Sequence, residues 1–244
     1  MECGRLRHPY IAVMKEGRLS YGGNQQWSRK KAVQKYGCGV IAGTDLLLYL
    51  SLHKEYCKGK EFKNWEKENG ILEAEEYMEL AETMRRHYFP VIPGLGMPGW
   101  LLSGGVNRYF RANRIPLKVS FGVLGRNFRN RIGAMLAHDI PVILAVGPNF
   151  PLPLKKHKLT FYEKKGSAYE ESCSVAAHFV AVTALDGPWM QISSWGKMYY
   201  INLCEYQEYV RRHSLFLISN IFYIRKRKRI SVYEKFQKRN SGCF

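Results

Sequence analysis

An α+β fold is predicted for this chain by three observations. Apolar residues recur at helical spacing through much of the first half, and the second half reads mostly as short alternating or continuously apolar runs. The two patterns follow one another instead of interleaving, unlike the strand-helix alternation of a doubly wound sheet. The expected architecture is a helical part over about 38–115 with a central helix, packed on an antiparallel β-sheet over about 116–224. A basic C-terminal tail follows over 225–244, and 1–224 form one domain with two lobes.

Each element has a local reason. Tyr21-Gly22-Gly23-Asn24 ends a short N-terminal segment, and a polar stretch rich in Lys and Gln leads to Gly37. Val40 to Leu50 is apolar nearly all round and too long for a strand, which predicts a buried central helix. Ile71 to His87 places Tyr77, Leu80 and Met84 on one helical face, with Glu73, Glu75 and Glu76 early and Arg85, Arg86 and His87 late, matching the helix dipole. A Pro- and Gly-rich loop from Pro93 to Gly99 precedes a third helix, Trp100 to Arg111, which stops before Pro116.

Leu117 to Val123 alternates as a strand, Phe128 to His138 is helical, and Pro141 to Val146 is a buried-strand run. Gly147 to Ser172 reads as a polar, Lys-rich loop. His178 to Leu185, Met190 to Ser193 and Met198 to Ile201 are successive strands of a meander, turned at Asp186-Gly187-Pro188 and Trp195-Gly196. Leu215 to Ile224 is a further strand candidate.

Composition narrows the function classes. The 38 Lys plus Arg against 20 Asp plus Glu give a net charge of +18, which fits contact with an anionic partner or a solvated basic surface. Basic residues are scattered over most of the chain and concentrate only from Arg225 to Arg239, a run expected either to stay solvated or to bind a polyanion. The 6 cysteines form no CxxC pair or compact metal spacing, and a chain of this size needs no disulfide staples. Residues 1–18 hold no apolar segment of signal-peptide length, and no stretch reaches the roughly 18 apolar residues of a membrane span. A cytoplasmic protein with no membrane span, no metal and no organic cofactor is expected.

Two segments carry chemistry. Cys38, between Gly37 and Gly39, opens the central helix, where unpaired N–H groups and the helix dipole favour a thiolate and can donate to a developing oxyanion. His178 opens an apolar strand and is placed to take the thiol proton and return it to a leaving amine. A small buried cysteine and a hydrogen-bonded core histidine are the structural alternatives.

With Ile192-Ser193-Ser194-Trp195-Gly196 the pattern resembles the papain-like cysteine peptidase superfamily. It is closest to the bacterial branch of bacteriocin-leader peptidases and their free-standing relatives, through Gly37-Cys38-Gly39 and His178-Phe179-Val180-Ala181-Val182. The likeness covers Asn24 to Leu50 and Pro141 to Tyr200. It implies a third residue that fixes the histidine ring, usually Asn or Asp. Its asparagine directly before Ser-Trp-Gly falls on Ser193, with Asp186 as second choice. It also implies a glutamine donor to the oxyanion, for which Gln25 is preferred over Gln26 and Gln34. The implied activity is cleavage of a peptide or isopeptide bond in a peptide or protein substrate, or a related acyl transfer, through a thioester on Cys38. The alternatives are a catalytically inactive papain-like fold and a basic nucleic-acid- or anion-binding protein.

Overall fold

A computed structural model describes residues 4–63, 71–94, 96–123, 128–150 and 157–227. In chain order the elements are β1 (Val13–Lys15), β2 (Arg18–Leu19), α1 (Lys31–Tyr36), α2 (Cys38–His53), β3 (Leu72–Glu73), α3 (Ala74–His87), α4 (Gly99–Ala112) and β4 (Leu117–Phe121). There follow α5 (Phe128–Ala137), β5 (Val142–Val146), β6 (Leu159–Lys165), β7 (Ala168–Val175), β8 (His178–Asp186), β9 (Trp189–Ser194), β10 (Lys197–Asn202), α6 (Leu203–His213) and β11 (Phe222–Lys226). The mixed α+β class is thus observed, and the main sheet has six strands in the order β5-β8-β9-β10-β6-β7, every adjacent pair antiparallel.

Helix α2 is central. Every residue from Gly39 to Ser51 is buried, and the helix packs on β8 and β5 and against α3 and α4. Such a helix has no amphipathic stripe, which is why its sequence reads apolar all round. Leu46, Leu47 and Leu50 are wholly enclosed, each burial stabilising the fold by about 2 kcal/mol. The start of α2 meets the start of β8: a Cβ on Gly39 would lie 3.2 Å from the Phe179 ring, so a small residue there lets helix and strand close together.

Three sequence expectations are corrected. The polar stretch before Gly37 contains helix α1. The expected loop Gly147 to Ser172 carries most of the β6–β7 hairpin, turning at Gly166 with φ +61. β7 is an edge strand, mostly exposed until Val175, so its polar composition imitates a loop. The strand expected over Leu215 to Ile224 is confined to β11, paired with β4. Helix α6 went unpredicted, although its signals are ordinary. Asn202 caps it by accepting from the N–H groups of Cys204 and Glu205, and Tyr206, Tyr209 and Val210 form its buried face. Most of the basic tail, 228–244, lies outside the described residues.

A polar clamp ties the N-terminal segment to α2. Asp139, buried, accepts from the Arg7 N–H at 2.8 Å and Tyr49 Oη at 2.6 Å, and pairs with His8 Nδ1 at 2.7 Å. Burial pushes its carboxyl pKa up, but the Tyr49, His8 and Arg7 contacts outweigh that and hold it at about 2. Asp139→Asn is expected to cost about 1–3 kcal/mol of stability in urea unfolding at neutral pH. A carboxyl with a depressed folded pKa stabilises above its unfolded value and loses that contribution as pH falls from about 4 to about 2. The difference between wild type and variant should therefore shrink over that window. A constant difference there would assign the effect to packing alone.

Candidate active site

One small pocket is lined by Gly23, Gln25, Cys38, Asp45, His178, Phe179, Ser193, Ser194 and Trp195, among others. All four site residues expected from the sequence therefore border the same space. Asp186 does not: it ends β8 while His178 begins it. That is a separation of roughly 26 Å at a strand rise of about 3.3 Å per residue. It is removed as a candidate for the third position.

Cys38 is the first residue of α2, directly after α1 and Gly37. The glycine is required by crowding, since a Cβ on Gly37 would collide with the Val33 carbonyl, which accepts from the Gly37 N–H at 2.7 Å. Cys38 keeps part of its surface open. Its thiol pKa is pushed up by burial, opposed by the backbone N–H groups of Phe179, Gly39 and Cys38 itself. The expectation of a thiolate favoured by the helix start is therefore corrected: desolvation of the sulfur outweighs those donors.

His178 is nearly enclosed at 9% exposure. Its ring stacks on Trp195, with centroids 4.4 Å apart. Trp195 and Gly196 have φ +51 and +73, the left-handed pair of a tight hairpin turn between β9 and β10. A tryptophan is unusual in that conformation, which costs about 1 kcal/mol or more. Its indole shields the imidazole from water, and burial lowers the His178 pKa to about 3. Thiol and imidazole both rest in their neutral forms at neutral pH.

The ring is held by Ser194, not by Ser193. His178 Nε2 and Ser194 Oγ lie 2.8 Å apart. The register explains the exchange: Ser193 stands opposite Ala181, three residues from His178, so His178 falls on the other side of the pleat, with Ser194. Ser193 instead donates its hydroxyl to the Tyr21 carbonyl at 2.7 Å. In the tautomer whose Nε2–H donates to Ser194, Nδ1 carries the lone pair and is the nitrogen able to accept a proton. Among the described residues no hydrogen bond joins Cys38 and His178.

Gln25 is buried at the pocket, in the short turn Gln25–Trp27 capped by Asn24. Its Nε2 donates to the Gln34 carbonyl at 2.7 Å, a bond shared with Gln26 Nε2 at 3.1 Å. Gln26 is exposed, and Gln34 donates away to the Ser28 carbonyl. Gln25 is the only one of the three that lines the pocket.

Asp45 also lines this pocket and belongs to no sequence motif. Burial raises its carboxyl pKa to about 6, against the lowering effect of donors from Tyr77, Gly23 and Tyr10. Its signal was a single acid inside an apolar helix. Among the described residues no group of three His, Cys, Asp or Glu side chains is placed to hold a metal ion, and no helix is long and apolar enough to cross a membrane. No family model and no curated protein matches the chain.

Proposed function

We propose that this chain is a papain-like thiol hydrolase, cleaving a peptide or isopeptide bond or carrying out a related acyl transfer through a thioester on Cys38. The observation that carries this reading is the meeting of Cys38 at a helix start, His178 at a strand start and Gln25 at one pocket, with Ser194 on His178 Nε2. In the forward step Sγ attacks the carbonyl carbon as its proton passes to His178 Nδ1. The oxygen that gains the electron pair is met by the Cys38 N–H and the Gln25 amide. The imidazolium then protonates the departing nitrogen, and water attacks the thioester by the reverse route.

A neutral pair sets the pH dependence. Since burial raises the thiol pKa, iodoacetamide should label Cys38 slowly at pH 6, with a rate still rising above the ordinary cysteine value. p-Nitrophenyl acetate should nevertheless acetylate Cys38 near pH 7, because His178 takes the proton during attack. Peptide mass spectrometry after a brief pulse reads both. Acetyl found on exposed Cys204 and never on Cys38 would sink the nucleophile assignment. A second reading, a papain-like fold that binds a partner without cleaving it, draws on the uncharged Cys38–His178–Ser194 set. It predicts no acetylation of Cys38 near pH 7, with labelling only where the pH is high enough to ionise the thiol unaided.

A further inference from the structure

Asp45 lies two turns of α2 beyond Cys38 and on the same side of the helix. It is 2% exposed. Every group that bonds to its carboxyl donates: Tyr77 Oη from α3 at 2.5 Å, Tyr10 Oη from the N-terminal segment at 3.2 Å, and the Gly23 N–H, which spans both oxygens at 3.3 and 3.2 Å. Among the described residues no lysine, arginine or histidine pairs with it. A buried carboxylate without a cation is costly, and an apolar residue would serve a core helix better. What the carboxylate provides is a hold on Gly23.

Other bonds hold the same stretch: the Tyr21 and Gly22 N–H groups donate to the Gly196 and Ile11 carbonyls at 2.7 and 2.8 Å, and Gln25 Nε2 donates to the Gln34 carbonyl. Ser193 on β9 grips the Tyr21 carbonyl, and between that grip and the one from Asp45, Gly22, at φ +81, sits where a Cβ would collide with Ser193 Oγ and Asp45 Oδ2. Residues 21–25 thus form a strap drawn down between α2 and β9, and Gln25 is carried on its end. We propose that Asp45 is a positioning residue: by holding the Gly23 N–H it sets the strap so that the Gln25 amide faces the carbonyl oxygen of an acyl group arriving at Cys38. The proposal rests on the hydrolase reading of that pocket. The other titratable groups near Asp45 are Tyr10 and Tyr77, with Tyr21 tilted against Tyr10 and Tyr49 stacked on it, and Cys38 and His178 at the shared pocket.

Two reagents separate positioning from general damage. Acetylation by p-nitrophenyl acetate forms a C–S bond while the carbonyl pair moves to oxygen; the C–O bond then breaks and p-nitrophenolate leaves. Alkylation by iodoacetamide forms a C–S bond as iodide departs, with no oxyanion. The ratio of the two rates on Cys38 therefore reads the oxyanion donor. Asp45→Asn keeps the size but replaces one acceptor oxygen with an amide NH2, a donor set against the Tyr77 and Tyr10 hydroxyls and the Gly23 N–H. It should lower the ratio about ten- to a hundredfold with alkylation unchanged, and Gln25→Ala about a hundredfold. The double variant should be no worse than the worse single, because both act through one amide. The wild-type ratio should also fall below about pH 6, as the carboxyl gains a proton and loses an acceptor, and this limb should vanish in Asp45→Asn. Asp45→Ser, which still accepts from one donor, serves if the asparagine variant does not fold. An unchanged ratio, a parallel fall in both rates, or losses that multiply in the double variant would overturn the proposal. Wild-type Cys38 that is alkylated but never acetylated would overturn the hydrolase reading and this proposal with it.

Discussion

His178→Ala is expected to slow acetylation of Cys38 by p-nitrophenyl acetate at neutral pH by about 10²–10⁴-fold, the contribution of a positioned general base. The size follows from the resting state. Burial raises the thiol pKa and lowers that of His178 to about 3, so there is no thiolate–imidazolium pair waiting for substrate. The proton must move as the C–S bond forms, and among the described residues the pocket offers no second histidine. The variant should converge on wild type once the pH exceeds the thiol pKa, because hydroxide then supplies the thiolate. That convergence distinguishes loss of the base from loss of the fold. A variant that matches wild type at neutral pH would place the base elsewhere, while one depressed equally at every pH would mark His178 as structural.

The parts of this site that were legible in the sequence are those whose position is set by local chemistry. Glycines on both sides of Cys38 at the head of an apolar helix mark a crowded turn, and the structure supplies the crowding atom, the Val33 carbonyl. A histidine at the first position of an apolar strand marks a polar group brought to the edge of a core. The choice between Ser193 and Ser194 was not legible, because adjacent strand residues face opposite ways and their faces depend on pairing with β8. That pairing is interrupted by a bulge between Val182 and Ala184, which no alternation pattern encodes. The β6–β7 hairpin was hidden for a different reason: solvent on the outer side of an edge strand removes the apolar signal. Asp45 was visible as a lone acid in a buried helix. Its partners Tyr10 and Tyr77 come from segments far away in the chain, and only the tertiary fold shows that all of them donate.

On the hydrolase reading an uncharged third position limits the site, and Ser194→Asp is expected to lift that limit. Ser194 Oγ fixes the ring through Nε2 at 2.8 Å but brings no negative charge to stabilise an imidazolium. A carboxylate there would favour His178 in its protonated form and draw its pKa upward from about 3. A more basic imidazole stabilises the thiolate in turn, so iodoacetamide labelling of Cys38 at neutral pH should rise by about 10- to 100-fold, one to two pKa units of effect. The position is buried, so the new carboxyl pays a desolvation cost, and the gain requires that it ionise against the histidine. Two controls separate charge from geometry. Ser194→Asn restores an amide acceptor and should hold the ring without raising its pKa, while Ser194→Ala should free the ring and slow acetylation about tenfold. The measurement is the His178 ring titration by NMR beside the Cys38 labelling rate. If the folded Ser194→Asp protein moves neither, the hydrogen bond between Ser194 and His178 is a packing contact, and the site works as a cysteine–histidine pair alone.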